Sequence, residues 1–373
     1  MRVLMTGGGT GGHINPALAI ANYIKEKEPD SEIAFVGTSR GMENKLVPKE
    51  GYELFHVDIR GLRRKLSFDN IRTLWLAATS VGKAKKLIKR FKPDVCIGTG
   101  GYVCWPVIRA AASMGIPTAL HESNALPGVA VKMLAGCTDI IFTNFDETSE
   151  YLSEKLRKKV VRVGNPLRGS FDGISKDDAR EKLGYEGKYR RSLLSLGGSL
   201  GAERINAEVL DLMKNYSSKN PDMHHIHATG SYGYEDFMKK FKELGLDAYP
   251  NLEPVEYIYD MPLRLAAADL VINRAGAMTI SELAMLGKPA ILIPSPNVTD
   301  NHQYKNAKVL ADAGAAVLIS ESDLQPGALT EAVSGLITDR ESMRIMSEKF
   351  SEFAISDTTK LIYDGVKNLV NKK

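Results

Sequence analysis

The sequence predicts an α/β protein of two Rossmann-like domains, each built on a parallel sheet. Three observations carry that reading. Short apolar or β-branched runs alternate with helical stretches along the chain, and such alternation implies parallel strands covered on both faces. The opening stretch "RVLMTGGGTGGHIN" has an echo, "RSLLSLGGSLGAER", at an offset of 189 residues. Between the copies lies a Gly- and Pro-rich stretch, residues 163–174 ("VGNPLRGSFDGI"), which reads as a linker.

The strand runs of the first half are "EIAFVG", "DVCIGTG", "PTALHE" and "DIIFTN". Those of the second half are "SLLSLGG", "HHIHATG", "DLVINRAG", "PAILIPS" and "AAVLIS". A chain of 373 residues is long enough for two domains, here 1–164 and 165–355. Its 43% hydrophobic and 25% charged residues suit a soluble globular protein. No apolar run reaches the ~18 to 20 residues that span a bilayer, and the start lacks the apolar core and cleavage site of a signal peptide. Cys96, Cys104 and Cys137 form neither a full disulfide set nor a zinc spacing, so three reduced, buried thiols are expected.

Each copy of the repeated motif reads as strand, glycine turn, helix. Glycines let backbone N–H groups approach a ligand, and the helix N-terminus adds partial positive charge, so such a turn is a seat for a diphosphate. A third glycine turn, "GTGGY" at residues 98–102, also follows an apolar strand and precedes a helix. The copies differ at one informative place: His13 aligns with Ala202. The fold therefore does not need a histidine there. The positive end of a helix favours a neutral imidazole, which can accept a proton or orient an acceptor.

Other residues stand out by position. In "NRAGAMTISEL", residues 273–283, Gly276 permits a tight turn and Glu282 follows six residues later, placed to accept from a ribose's two hydroxyls or to complement the helix dipole. "HESN", residues 121–124, puts polar side chains at the carboxyl end of a strand, where α/β sheets bind ligands. "HHIH", residues 224–227, lacks the Cys or carboxylate spacing of a metal site.

The formal net charge of +4 is unevenly spread. Residues 60–92 hold eleven Lys or Arg against one acid, Asp69. If residues 68–91 are helical, Leu74, Ala77, Val81, Ala84 and Ile88 share the core side. Phe68, Ile71 and Trp75 then form a flank beside Arg72, Lys86, Lys89 and Arg90. Large apolar side chains among cations make a face for an anionic membrane surface. No nucleic-acid module is present, so nucleic acid is not an expected partner.

Taken in order, "GGTGGH", "GTGGY", "HESN", "GNPLR", "GGSLGA", "GAMTISE" and "NHQ" resemble one family from Val3 to about Leu310. It is the bacterial peptidoglycan glycosyltransferase family that adds N-acetylglucosamine to undecaprenyl-pyrophosphoryl-N-acetylmuramoyl-pentapeptide, turning lipid I into lipid II. The resemblance implies a GT-B fold, two Rossmann-like domains facing across a cleft, and inverting transfer from UDP-N-acetylglucosamine. It implies that Ser199 and the helix opening at Ala277, Met278 and Thr279 face the donor diphosphate. By the same resemblance Ile258 is expected to pack by the uracil, Glu282 to hold the ribose and Gln303 to reach the sugar. Thr10, Gly11 and Gly12 are expected to close on the donor, with Asn124 and Arg168 nearby. Gly9, Gly12 and His13, with Gly100, Gly101 and Tyr102, are expected to hold the acceptor's diphosphate. The resemblance also implies that a last helix, within 356–373, crosses back to the first domain. Where some members carry two glutamines, this chain has His302 and Gln303.

That chemistry needs a base to take the proton of the acceptor's 4-hydroxyl. His13 is the first candidate, with an orienting role as its alternative, and Glu122 is the second. No Asp-x-Asp metal pair of a metal-dependent glycosyltransferase is present, so no cofactor is required, although a divalent cation is compatible with the reading. The expected place of work is the cytoplasmic face of the cell membrane, as a peripheral protein. The alternatives are another GT-B enzyme with a lipid acceptor, a UDP-sugar 2-epimerase and a non-catalytic nucleotide-sugar sensor. A Rossmann dehydrogenase fits poorly, because "GGTGGH" departs from G-x-G-x-x-G with an acid about 20 residues on.

Overall fold

The computed structural model describes residues 1–59, 68–167, 171, 173–198 and 200–372, with residues 68–78 described by their backbone course alone. The chain divides into two compact units, Met1–Arg168 with Ile355–Lys373, and Gly169–Ala354. Each is a Rossmann-like α/β unit on a parallel sheet.

The first unit holds strands β1 (Arg2–Thr6), β2 (Glu32–Gly37), β3 (Glu53–His56), β4 (Val95–Gly98), β5 (Thr118–Glu122), β6 (Ile140–Thr143) and β7 (Val160–Arg162). Their order is β3-β2-β1-β4-β5-β6-β7, all parallel. Strand alternation sends Leu4, Val36, Cys96, Leu120 and Ile141 to one face, against the helices Phe68–Phe91, Cys104–Ser113 and Val129–Leu134. Val3, Met5, Phe35, Ile97 and Phe142 face the other way, onto the helices Gly11–Lys27 and Thr358–Asn371. Two covered faces explain why these strands read as continuous apolar runs.

The helix Thr358–Asn371 belongs to this unit. Ile362 and Val366, one turn apart, are fully buried, and full burial of such a side chain is worth about 1.5–3 kcal/mol. A Cβ at Gly365 would fall 2.7 Å from Phe142, so glycine lets the helix lie close to the sheet. Glu28, at the end of Gly11–Lys27, accepts from the Tyr363 hydroxyl at 2.9 Å and from Lys367 at 2.5 Å.

The second unit holds β8 (Arg191–Leu196), β9 (Met223–Ala228), β10 (Leu252–Val255), β11 (Leu270–Asn273), β12 (Ala290–Leu292) and β13 (Ala316–Leu318). Their order is β10-β9-β8-β11-β12-β13, again parallel. Leu193, Leu270, Ile272 and Ile291 pack on the helices Glu203–Asn215, Tyr234–Glu243 and Ala328–Thr338.

Cys96 and Cys104 are buried as expected, and burial pushes both thiols up, Cys104 to about 12. Cys137 departs from the expectation. It is half-buried, because it sits in the turn after Val129–Leu134, with its Sγ 3.3 Å from the Leu134 carbonyl.

Candidate functional site

In the first sheet the strand order reverses between β1 and β4, which are parallel hydrogen-bonded neighbours with Thr6 opposite Gly98. Such a switch point is where an open α/β sheet leaves room for a ligand beyond its carboxyl ends. The "GGTGGH" turn leaves β1 and the "GTGGY" turn leaves β4, so the topology sets them side by side. They touch: Gly8 N–H donates to the Gly100 carbonyl at 3.3 Å. A Cβ at Gly101, whose φ is +85°, would fall 2.4 Å from the Gly8 oxygen. The Cys104 thiol lies 3.0 Å from the Thr6 and Gly100 carbonyls and closes the turn from below.

Gly9 and Thr10 are exposed, and Gly11, Gly12 and His13 open the helix. Among the described residues Thr10 makes no side-chain cap and the first turn holds no acid. That helix opening is therefore electropositive and suited to an anion. His13 is half-exposed. Its Nδ1 lies 3.1 Å from the Gly8 carbonyl, with Thr10 Oγ1 at 3.4 Å. A carbonyl oxygen can only accept, so the neutral ring carries its proton on Nδ1 and its lone pair on Nε2. Thr99 Oγ1 anchors the backbone by donating to the His13 carbonyl at 2.7 Å. Tyr102 stands exposed beyond the second turn.

Glu122 ends β5 and is buried. Its Oε1 accepts from Asn124 N–H at 3.0 Å and Asn124 Nδ2 at 3.1 Å, and its Oε2 from Gly128 N–H at 2.7 Å. Both oxygens hold the loop that carries Asn124. His121 is also buried, and its Nε2 donates to the Gly164 carbonyl at 2.9 Å. Burial lowers its pKa to about 4.

One residue at this switch point escaped the sequence reading. Glu43, at the start of the helix Glu43–Lys49, is fully buried. Its Oε2 accepts from Gly9 N–H at 3.0 Å, and its Oε1 from Thr38 N–H at 2.8 Å and Thr38 Oγ1 at 2.9 Å. Burial alone would raise this carboxyl, but the amides of Gly9, Thr38 and Glu43 itself and the Thr38 hydroxyl hold it below the ordinary value. In sequence Glu43 looks like any acid in a first helical turn. Its partner is 34 residues away, and no local spacing announces it.

The second sheet repeats the plan. Its reversal lies between β8 and β11, so "GGSLGA" and "NRAGAMT" leave adjacent strands. Gly201, at φ +90°, sits so close to Thr229 that a Cβ would fall 2.2 Å from its carbonyl oxygen. The helix Ala277–Met285 follows Gly276 with no acid in its first turn, and Met278 and Thr279 are half-exposed there. Glu282 has no hydrogen-bond or ionic partner among the described residues, and burial pushes its carboxyl up to about 7. Ile258, just past β10, is 4% exposed, and the flanking Tyr257 and Tyr259 are exposed. Gln303 Oε1 accepts from Ser295 N–H at 2.8 Å, which commits the oxygen and leaves the amide NH2 as a donor with no partner among the described residues. Its turn is strained: Asp300 and Asn301 both have φ near +54°, at +55° and +53°. A cavity of about 570 Å³ opens beside it, lined by Arg204, Pro294, Asn301, Tyr304 and Glu321 among others. Ser199 and Arg168 lie outside the described residues.

The "HHIH" strand is a hydrogen-bonded core element. His225 meets Ser195 Oγ at 2.9 Å and Ser217 Oγ at 2.8 Å. His227 meets Ser195 Oγ at 2.9 Å and Asn206 Oδ1 at 3.2 Å, and Asn206 Nδ2 donates to the Thr229 carbonyl at 3.0 Å. No group of three or more potential metal ligands occurs among the described residues.

Of the basic helix, Ala84 and Ile88 are buried and Val81 packs against them, while Lys86, Lys89 and Arg90 are exposed. The side chains of Phe68, Ile71, Arg72 and Trp75 lie outside the described residues. No helix of the described residues is long and apolar enough to cross a membrane.

Comparison with known proteins agrees with two α/β units of one family. Residues 3–143 match the glycosyltransferase family 28 N-terminal domain and residues 192–362 the family 28 C-terminal domain. The chain is 45% identical, over 373 residues, to the UDP-N-acetylglucosamine–N-acetylmuramyl-(pentapeptide) pyrophosphoryl-undecaprenol N-acetylglucosamine transferase of Acetivibrio thermocellus, covering 100% of this chain and 99% of that one. Among solved structures it resembles Acinetobacter baumannii MurG, with a TM-score of 0.78 and 28% identity over 98% of this chain and 99% of that one. It also shares its fold with the Neisseria meningitidis UDP-GlcNAc 2-epimerase, at a TM-score of 0.66 and 16% identity over 99% of this chain and 100% of that one.

Proposed function

The chain belongs to glycosyltransferase family 28, and from that premise we infer how it transfers N-acetylglucosamine from UDP-N-acetylglucosamine to undecaprenyl-pyrophosphoryl-MurNAc-pentapeptide, giving lipid II and UDP. The single observation that carries the mechanism is the His13 Nδ1–H bond to the Gly8 carbonyl. It leaves Nε2 as a lone-pair nitrogen at the opening of a helix and beside two glycine turns.

In the proposed mechanism the acceptor's pyrophosphate rests on the N–H groups of the Gly11–Gly12 helix opening and the Gly100–Gly101 turn. His13 Nε2 receives the proton of the MurNAc 4-hydroxyl as that oxygen attacks the anomeric carbon from the face opposite UDP. The bond to UDP breaks as the new one forms, which inverts the anomeric centre. Negative charge grows on the leaving diphosphate, where the helix opening at Ala277 supplies backbone donors and the positive end of a dipole. Glu282 accepts from the ribose hydroxyls, Ile258 packs by the uracil, and the Gln303 amide donates to the sugar. Glu122 acts by holding Asn124 in place. The scheme asks for no metal, because backbone donors meet the charge.

The protein works at the cytoplasmic face of the membrane, where UDP-sugars and the lipid acceptor meet. Support comes from the undecaprenol in the relative's name and from the exposed Lys86, Lys89 and Arg90. Labelled UDP-N-acetylglucosamine, incubated with and without a lipid I analogue, tests the activity. A disaccharide product and free UDP only with the analogue are expected. Conversion of the donor alone would mean epimerisation, and tight binding without turnover would mean a sensor.

A further inference from the structure

The Gly8–Gly9 peptide joins two groups that otherwise do not meet. Its C=O accepts from His13 Nδ1 at 3.1 Å, and its N–H donates to Glu43 Oε2 at 3.0 Å. A trans peptide is flat and stiff, with its C=O and N–H pointing in opposite directions. One rigid amide therefore stands between a buried carboxylate and the imidazole. We propose that Glu43 is a positioning residue for His13, acting through this peptide to hold the ring with its proton on Nδ1 and its lone pair on Nε2. The proposal rests on the reading of His13 as proton acceptor.

The surroundings are shaped for this carboxylate. Gly8, Gly37 and Gly41 wrap it so closely that a Cβ on each would fall 2.8, 2.5 and 1.9 Å from the Glu43 side chain. The peptide also needs a restraint. Glycine on both sides makes it one of the easiest in the chain to rotate, and Gly9 already sits at φ +88°. A rotated peptide would turn its N–H toward His13, and Nδ1 would lose its acceptor. A negative charge on the N–H side opposes that rotation. It also polarises the amide and makes the Gly8 oxygen a stronger acceptor. Thr38 holds the carboxylate from its other oxygen, so the geometry is fixed at both ends.

The full-length protein labelled with 15N-histidine tests this directly. Long-range 1H–15N correlation separates a protonated from a lone-pair ring nitrogen, and the spectrum of His13→Gln assigns the His13 signals. In the wild type, Nδ1 should read as protonated and Nε2 as bare. In Glu43→Gln both should move toward averaged values, kcat should fall about tenfold or more, and KM for UDP-N-acetylglucosamine should stay within about twofold. Thr38→Val, a milder change, should shift the same signals the same way by less. Unmoved His13 nitrogens in a folded Glu43→Gln protein overturn the proposal. Should that variant not fold, unmoved signals in Thr38→Val overturn it. Full turnover in His13→Ala would instead remove the base assignment and leave the Glu43–His13 link standing on the spectra.

Discussion

The His13 imidazole occupies the space a side chain at residue 100 would need: a Cβ built on Gly100 falls 2.5 Å from His13 Cδ2 and 2.9 Å from Nε2. The φ of +114° at Gly100 adds a conformation that L residues rarely adopt. Gly100→Ala should therefore displace the ring as well as strain the turn. Turnover should fall at least about tenfold, while UDP-N-acetylglucosamine binding, measured calorimetrically, stays near the wild-type value. An equal loss of both would mean that the turn supports donor binding instead.

Removing the imidazole should cost more than moving it. A positioned general base contributes about 10²- to 10⁴-fold. His13→Ala should lower kcat within that range and change donor affinity far less. Steady-state kinetics on a water-soluble lipid I analogue, with separate donor-binding isotherms, decide the matter. Unchanged turnover would make His13 a bystander.

Donor binding should depend on pH through Glu282. Burial holds its carboxyl at about 7 in the unliganded protein. Ribose hydroxyls donate to the ionised form, so ligand binding lowers that pKa and releases a proton. Affinity for UDP-N-acetylglucosamine should then be highest above pH 7 and weaken as pH falls through it, by at most about tenfold per unit. The donor's own diphosphate does not titrate in this window. Dissociation constants between pH 6 and 8.5 should show the trend, and Glu282→Gln should flatten it. A flat wild-type profile would argue against this role for Glu282.

Acid should destabilise the second unit through its buried histidines. Burial lowers the pKa of His227 to about 3 and that of His225 well below the ordinary value. The unfolded chain takes up these protons below about 6.5, while the folded rings stay neutral. The unfolded state thus binds more protons as pH falls, and stability present above 6.5 is lost from there down toward 3. His227 contributes about 2 kcal/mol of that loss by pH 5, and His225 adds to it in the same direction. Urea unfolding at pH 7.5 and pH 5 measures it. His227→Gln, which keeps a hydrogen-bonding side chain, should reduce the difference, and an unchanged difference would exonerate His227.

Membrane attachment should depend on exposed cations. Each Lys or Arg near an anionic leaflet is worth about 1 kcal/mol. Replacing Lys86, Lys89 and Arg90 with Gln should weaken binding to vesicles containing phosphatidylglycerol by about 100-fold at low salt. Loss of affinity that persists at high salt would point to a damaged fold rather than a missing charge.

The strands legible in sequence are largely the central ones. "EIAFVG", "DVCIGTG", "SLLSLGG" and "DLVINRAG" announce β2, β4, β8 and β11, because a strand buried on both faces must be apolar throughout. The apolar runs of the sequence omit β3, β7 and β10, which are edge strands. An edge strand pairs on one side only, so β10 can carry Glu253 and Pro254 and β7 can alternate between half-exposed and exposed. Their strand character comes from the neighbour they join, which no local pattern records.

By itself the sequence determined the α/β class, the repeated strand–glycine–helix unit and the presence of His13 where the second copy has Ala202. These depend on hydrophobic period and on backbone freedom, both properties of short stretches of chain. Only the tertiary structure decided that the two glycine turns of the first unit touch, that Glu43 reaches Gly9 across 34 residues, and that "HHIH" is a hydrogen-bonded core. It also decided which nitrogen of His13 holds the proton. The physical reason is that a side chain's protonation and orientation are set by the partners the fold brings to it, and those partners come from strands and loops far apart in sequence.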